Sequence, residues 1–426
     1  MAVVLLFLGV LALVLINVPI AVALGIAAAV AMIAAQGAGA LPNMAIVMYS
    51  GTTGFPLIAI PLFIFAGAIM NTSGISRRLI AFASAILGFI RGGLAMVNIG
   101  SSMFFAEISG SAVADVAALG SVLMPAMKKK GYPGTFAAAI TSSSASLAII
   151  IPPSIPMILY AVMSGASVVQ LFVAGIIPGI IGGLAMMALS YWYAVRFNWP
   201  VEEVFQLKRV WKTFKDAALA LLLPVIILGG IFGGIVTASE GAGLAVVAAI
   251  GIALYYREIQ WQQLWTAVID GAVQTAAVML LVAASALLGV YLTEAQVPQK
   301  LAQVIVGLTK EPWAVLLLLN FFFLFIGLFL HSAAAIILVV PIVMPVVNAV
   351  GIDPVHFGLI VTLNLAIGQQ TPPVASVLMT ACSIAKENVW DVTKVNLPFI
   401  GVLVSVLLLI TYVPAIPLAL VNLFYR

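Results

Sequence analysis

The sequence predicts an all-α polytopic membrane protein built as two inverted-topology repeats, each with a re-entrant helical hairpin and a broken helix. Three observations predict it. The chain of 426 residues is 64% hydrophobic and only 7% charged, where soluble domains run near ~25% charged. Its apolar runs recur from end to end, each long enough for the roughly 30 Å hydrocarbon core. Two of them are interrupted at mid-depth by proline pairs, Pro152-Pro153 and Pro372-Pro373, which stand 220 residues apart.

Taken in order, spans are expected at 2–16, 18–35 and 57–75. A hairpin over 98–127, a broken helix over 134–163 and a span at 170–195 complete a first repeat, 1–195. A connector at 196–216 leads to a second repeat, 217–426. It holds spans at 217–236, 241–256 and 266–292, a hairpin over 313–347, a broken helix over 355–385 and a last span at 395–424. The first run has no cationic n-region or small-residue cleavage site and reads as a structural span rather than a signal peptide. No segment has the composition of a separate soluble domain.

The broken helices follow from proline chemistry. Residues 142–164, SSSASLAIIIPPSIPMILYAVMS, would make one spanning helix but for the proline pair. Proline lacks the N–H that a helix interior needs, and its ring clashes with the preceding turn. The helix must stop and restart inside the bilayer. Freed backbone groups are tolerated there only when buried in protein or lining a cavity. Residues 364–383, NLAIGQQTPPVASVLMTACS, repeat the pattern. The first hairpin has a small, polar middle, Glu107-Ile108-Ser109-Gly110-Ser111, between arms too short to span, and glycine permits the reversal. The second is apolar through residues 321–328 and reverses near His331-Ser332.

Duplication is countable. Met124-Pro125 recurs as Met344-Pro345, Gly131 as Gly351 and Pro178 as Pro398, all at the 220-residue offset of the proline pairs. Gly88-x-x-Arg91 answers Gly307-x-x-Lys310 at an offset of 219. The sense of the repeats is read from their bases, because lysine and arginine near span ends mark the cytoplasmic side. Lys128, Lys129 and Lys130 follow the first hairpin, whereas 348–353 after the second has no base. The connector carries Arg196, Lys208, Arg209, Lys212 and Lys215, and the loop 36–56 carries no charge. These agree only if the halves run in opposite senses, with both termini external. Segments 201–216 and 299–310 are amphipathic and are expected to lie along the membrane surface.

Each hairpin tip is expected to face the break that follows it. That groups Ser109, Gly110 and Ser111 with Ser142, Ser144 and Ser146, and Gly327, His331 and Ser332 with Asn364, Gly368 and Thr371. Hydroxyls and freed carbonyls with few carboxylates suit a hard monovalent cation, most simply sodium, as in other broken-helix carriers. The restarted halves are expected to begin at the prolines, with Thr371 as an N-cap. Their positive ends favour an anionic, carboxylate-bearing substrate. Candidate substrate contacts beside the breaks are Glu107, Ser154, Gln369 and Ser376. Structural readings compete: small residues also let helices pack closely, and Glu107 equally serves to bond freed amides. Asp115 reads as a helix-face partner, and His331 as a hydrogen-bonded plug or a proton carrier.

Other classes fit poorly. A net charge of +4 is too small and too confined to loops for nucleic acid, and the lone Cys382 excludes a disulfide framework or cysteine-rich metal site. No glycine-lysine phosphate loop or zinc-binding helix motif occurs. A Ser111/His331 dyad has no nucleophile signature around it. A channel is the closer competitor, since re-entrant loops also build filters, yet an internal inverted repeat points to secondary transport.

Residues 104–132, FFAEISGSAVADVAALGSVLMPAMKKKGY, with 142–168 and GQQTPPVASVL at 368–378, resemble the large membrane (DctM-like) subunit of tripartite ATP-independent periplasmic (TRAP) transporters. The resemblance covers essentially the whole chain, and its general look is nearest the sialic-acid branch. It implies an ion-transporter-superfamily-like elevator in the bacterial inner membrane, importing organic acids such as sialic acid or C4-dicarboxylates on a sodium gradient. It implies two or more sodium ions and no organic cofactor. The partners implied are a separate small four-helix membrane subunit and a periplasmic substrate-binding protein. Carried onto this chain, it places sodium at Ser109–Ser111 with Ser142–Pro152, and at His331 and Ser332 with Gly368, Gln370, Thr371 and Pro372. A stand-alone ion-coupled anion carrier is the alternative.

Overall fold

The computed structural model describes residues 2–16, 18–201, 204–257 and 261–425, with the side chains at 2–4, 7, 11, 15, 38, 107–109 and 263 outside the description. Among the described residues every regular element is helical. The chain opens with α1 (Ala2–Leu15), α2 (Ile20–Gln36), α3 (Leu41–Thr52), α4 (Ala59–Thr72) and α5 (Ile75–Leu87). The first hairpin is α6 (Gly93–Ser109) and α7 (Ala112–Lys129). The first broken helix is α8 (Gly134–Ala145), a 3-10 turn at Ser146–Ile149, and α9 (Ile155–Ser164), followed by α10 (Val168–Arg196). The second half runs α11 (Leu207–Phe232), α12 (Ala238–Tyr256), α13 (Trp261–Glu294) and α14 (Val297–Leu308). Its hairpin is α15 (Pro312–Gly327) and α16 (Ser332–Ala349), and its broken helix α17 (Pro354–Gly368) and α18 (Ser376–Ala385). It closes with α19 (Val389–Tyr412) and α20 (Ala415–Tyr425).

Seven described helices are long and apolar enough to cross a membrane. The four halves of the broken helices are shorter. The 10 residues of α9 cover ~15 Å at 1.5 Å per residue, half of a ~30 Å core. The matched landmarks occupy matched places. Pro125 lies inside α7 and Pro345 inside α16, and Gly131 (φ 87) and Gly351 (φ 71) follow those helices in the left-handed region. Each proline pair sits in a break with a cis bond, and Pro178 and Pro398 lie inside the helix after it.

The two hairpin–break units interlock at the centre. Helix α18 packs on α7 and α8 of the other half, and α9 packs on α16. Helices α8 and α17 are buried almost throughout, so the polar residues they carry must find partners inside the protein. Around them α4 packs on α12 and α13, α13 on α2 and α3, and α5 on α11. The link between the halves is held by Trp199, whose ring lies 4.4 Å from Phe136 and 4.7 Å from Tyr132.

Four expectations change. The uncharged loop 36–56 contains α3, whose proline at the helix start suits a first turn. No element was expected between the span ending at 75 and the hairpin starting at 98, yet α5 forms there and Ile75, Leu79 and Ala83 bury one stripe of it. The connector does not end as a separate surface arm at 216: α11 runs unbroken from Leu207 into its span, because nothing between Asp216 and Ala220 breaks a helix. The last span divides at Pro414, which cannot continue α19.

Candidate functional site

Each tip meets its own break through glycine. Gly110 turns the first hairpin at φ 56, and a Cβ there would lie 3.0 Å from the Pro153 carbonyl oxygen and 3.2 Å from the Ile155 nitrogen. At the second tip, a Cβ on Gly368 would lie 2.5 Å from the Cα and carbonyl carbon of Gly327. The Val374 amide also donates to the Leu328 carbonyl at 3.2 Å. Each tip therefore lies against the break that follows it, the first through Gly110 at Pro153 and Ile155 and the second through Gly327 at Gly368.

Polar side chains then join the two breaks to each other. The Ser142 hydroxyl donates to Gln370 Oε1 at 2.7 Å, and Gln370 Nε2 returns a bond to the Ser142 carbonyl at 2.7 Å. Gln370 Nε2 also donates to the Ser146 hydroxyl. Ser146 lies 3.5 Å from the carbonyl of Ala366, its partner at one repeat offset. Asn396 of α19 donates to Gln370 Oε1 at 3.1 Å and accepts from Ser143 at 2.6 Å. The expectation that Gln370 serves the second tip is thus corrected. Its amide complements the backbone and hydroxyls of the first broken helix.

Ser144 points the other way, donating to Asn98 Oδ1 at 3.1 Å and bonding Ser102 at 2.8 Å. Asn98 in turn donates to Thr141 at 2.7 Å. The second repeat answers this with Asn364, at the place of Ser144. Its Nδ2 donates to Asn320 Oδ1 at 2.6 Å and to the Ile360 carbonyl at 2.8 Å. Two acceptors around Nδ2 fix which way the amide faces. Asn364 Oδ1 is then left buried without a hydrogen-bond partner, at a cost of about 1–3 kcal/mol for an unmet group. The backbone of the same residue lies at the Gly327–Gly368 seam, the Asn364 carbonyl oxygen being 3.6 Å from a Cβ built on Gly327. A buried oxygen acceptor without a donor, on the last turns of a helix that ends at the break, fits a hard cation.

Between the tips lies a cavity of about 560 Å³. Gly110 and Ser111 reach it from the first hairpin, His331 and Ser332 from the second, Gln369 from the second break and Gln274 from α13. No lysine or arginine is among its described lining residues. A smaller space of about 210 Å³ shares Ser111 and Gln274 and extends to Asn71, Thr72 and Asp270.

The restart of both half-helices is corrected. Helix α9 begins at Ile155 after Ser154, and α18 at Ser376 after Ala375. Thr371 caps neither; its hydroxyl donates back to Ile367 at 3.1 Å. Paired prolines supply no N–H, and the residue before a proline is pushed from the α region, so the chain must clear both before a helix resumes. Pro152 and Ser154 are buried, with Ser154 donating to Ile149 at 2.7 Å, while Pro372 is half-buried. Ser376 donates to Gln369 Oε1 at 3.4 Å. The side chains of Glu107 and Ser109 lie outside the described residues. His331 caps α16, its Nδ1 accepting from the Ala333 amide at 3.4 Å. Sequence reasoning missed Asn98, Asn320, Asn396 and Gln274. Their signal was available as lone amides inside apolar helices, where polar residues commonly hydrogen-bond between helices.

The profile of the family described as "Tripartite ATP-independent periplasmic transporter, DctM component" matches residues 7–416. The chain belongs to this family. The isethionate TRAP transporter permease protein DctMQ of Oleidesulfovibrio alaskensis is 43% identical over 95% of this DctM-family chain, which spans 64% of that relative. The C4-dicarboxylate TRAP transporter large permease protein DctM of Pseudomonas aeruginosa is 37% identical over 89% of each chain. Among solved structures, the YdaH transporter of Alcanivorax borkumensis superposes with a TM-score of 0.65 at 15% identity, covering 90% of this chain and 91% of that one. That likeness is one of fold.

Proposed function

We propose that this DctM-family protein is the large permease of a TRAP system that imports a small organic anion on an inward sodium gradient. The observation that carries the sodium reading is Asn364 Oδ1, a buried acceptor without a partner on a residue whose own carbonyl reaches the glycine seam of the second break. Sodium there would be held by that oxygen and by carbonyls freed at the end of α17, and its binding would tighten the second tip on its break. The first tip contributes Ser111, and the first break the carbonyls near Pro152 and Pro153. An anion in the central cavity meets no lysine or arginine among the described lining residues. Bound sodium and half-helix ends then supply the compensating charge, because burying an unpaired anion is costly.

The cavity touches both tips and also α4 and α13 through Ile64, Gln274 and Val278. That lining supports an elevator reading, in which the interlocked hairpins and breaks slide against those outer helices. The relatives' names support an organic acid as cargo, isethionate in one and C4-dicarboxylates in another. The family also supports placement in the bacterial inner membrane with a small membrane subunit and a periplasmic binding protein as partners. The test is uptake into proteoliposomes of isethionate, C4-dicarboxylates and sialic acid, with each partner present or omitted. The expected result is uptake of one acid class, only with an inward sodium gradient and both partners. Equal uptake by this chain alone, or with potassium replacing sodium, would contradict the reading.

A further inference from the structure

A groove of about 1150 Å³ opens between α5, α11 and α12, away from the central cavity. One end is basic: Arg77 and Arg78 from the first turns of α5 and Lys215 from α11 line it, with Asp216 the one acid among the described lining residues. The Arg78 guanidinium lies 3.8 Å from the centre of the Tyr256 ring, a stacking that orients its planar donors. The Tyr256 hydroxyl is itself fixed, donating to the Asp216 carbonyl at 2.9 Å. The other end is apolar, formed by Leu219, Leu222, Leu223, Ile226 and Ile252. Leu222 and Ile226 are exposed there at 46% and 40%.

We propose that this groove binds one anionic phospholipid, its phosphate among Arg77, Arg78 and Lys215 and an acyl chain along α11. Length supports a lipid over a free anion. From Lys215 to Ile226 the helix rises ~16 Å, about half of a ~30 Å core and so one leaflet deep. A free phosphate uses only the basic end and leaves the apolar wall unexplained. The charge pattern of the sequence puts this end on the cytoplasmic side, where anionic lipids attract basic clusters.

Native mass spectrometry of the purified protein tests this with phosphatidylglycerol and phosphatidylcholine of matched chains. One phosphatidylglycerol should be retained in preference, by about tenfold or more. Arg77→Gln/Arg78→Gln/Lys215→Gln should remove the preference. Gly251→Phe offers a second variant that keeps every charge. Gly251 lines the groove, and a Cβ there meets nothing within 4 Å, so the ring should fill the space and lower lipid occupancy. Equal retention of phosphatidylcholine, or unchanged retention in Gly251→Phe, would overturn the proposal. So would inorganic phosphate or glycerol phosphate raising the melting temperature as much as the lipid, which would mean a free-anion site. Displacement of the lipid on adding the small subunit would make the groove a protein seat and overturn it as well.

Discussion

Gly368→Ala is expected to lower initial uptake at least tenfold while the protein still reaches the membrane. The added methyl would sit 2.5 Å from the Cα and carbonyl carbon of Gly327. Both contacts are backbone, so no side chain can rotate away. Either α17 or the tip must shift, and overpacking of this kind costs about 1–3 kcal/mol. Because the shift opens the seam beside Asn364, the loss should appear in transport more than in expression. Gly307→Ala is the matched control: a Cβ there meets nothing within 4 Å, and uptake should be unchanged. Normal uptake in Gly368→Ala would mean that the seam has no part in the cycle.

Gln370→Leu is expected to reduce both melting temperature and uptake. Leucine approximates the volume but leaves Asn396 Nδ2 without its acceptor and Ser142 and Ser146 without the amide. The serine hydroxyls can turn to their own helix, since Ser146 already lies 3.5 Å from the Ser142 carbonyl. Asn396 cannot, and a stranded buried donor costs about 1–3 kcal/mol. Ser142→Ala combined with Gln370→Leu should then cost less than the two separately, a coupling of roughly 0.5–3 kcal/mol for residues in one network. Additive losses in melting temperature would show that the two breaks are not tied through this amide.

Much of the centre was legible because proline and glycine constrain the backbone before any packing is known. Pro152-Pro153 and Pro372-Pro373 forced two breaks, and Gly110 and His331-Ser332 marked the two reversals. Partnership among side chains was less legible. Gln370 stands two residues from Gly368, so it was grouped with the second tip, yet its bonds run to the first broken helix. The interlock of α18, α19 and the end of α17 with the first broken helix, between segments more than 200 residues apart, brings them together. Thr371 misled for a local reason, since a threonine before a proline looks like a cap wherever a helix is assumed to restart at once. Helices α3 and α5 were hidden because glycines and arginines are weak helix and span signals, and tertiary contacts with α13 and α11 override such local preferences.

Sodium at the second break is tested most directly by melting the purified protein across a sodium series at constant ionic strength, with potassium as the balancing cation. An ion that binds only the folded state stabilises it by RT ln(1 + [L]/Kd), about 2.7 kcal/mol at a hundredfold excess over Kd. Asn364→Leu removes the unpartnered oxygen together with the amide bonded to Asn320 and Ile360, so its melting temperature should fall in any salt. The deciding quantity is the sodium midpoint. The wild-type protein should be stabilised by sodium and not potassium, and Asn364→Leu should need about tenfold more sodium for the same rise. Equal stabilisation by potassium, or a sodium midpoint unchanged by Asn364→Leu, would contradict sodium binding at this break.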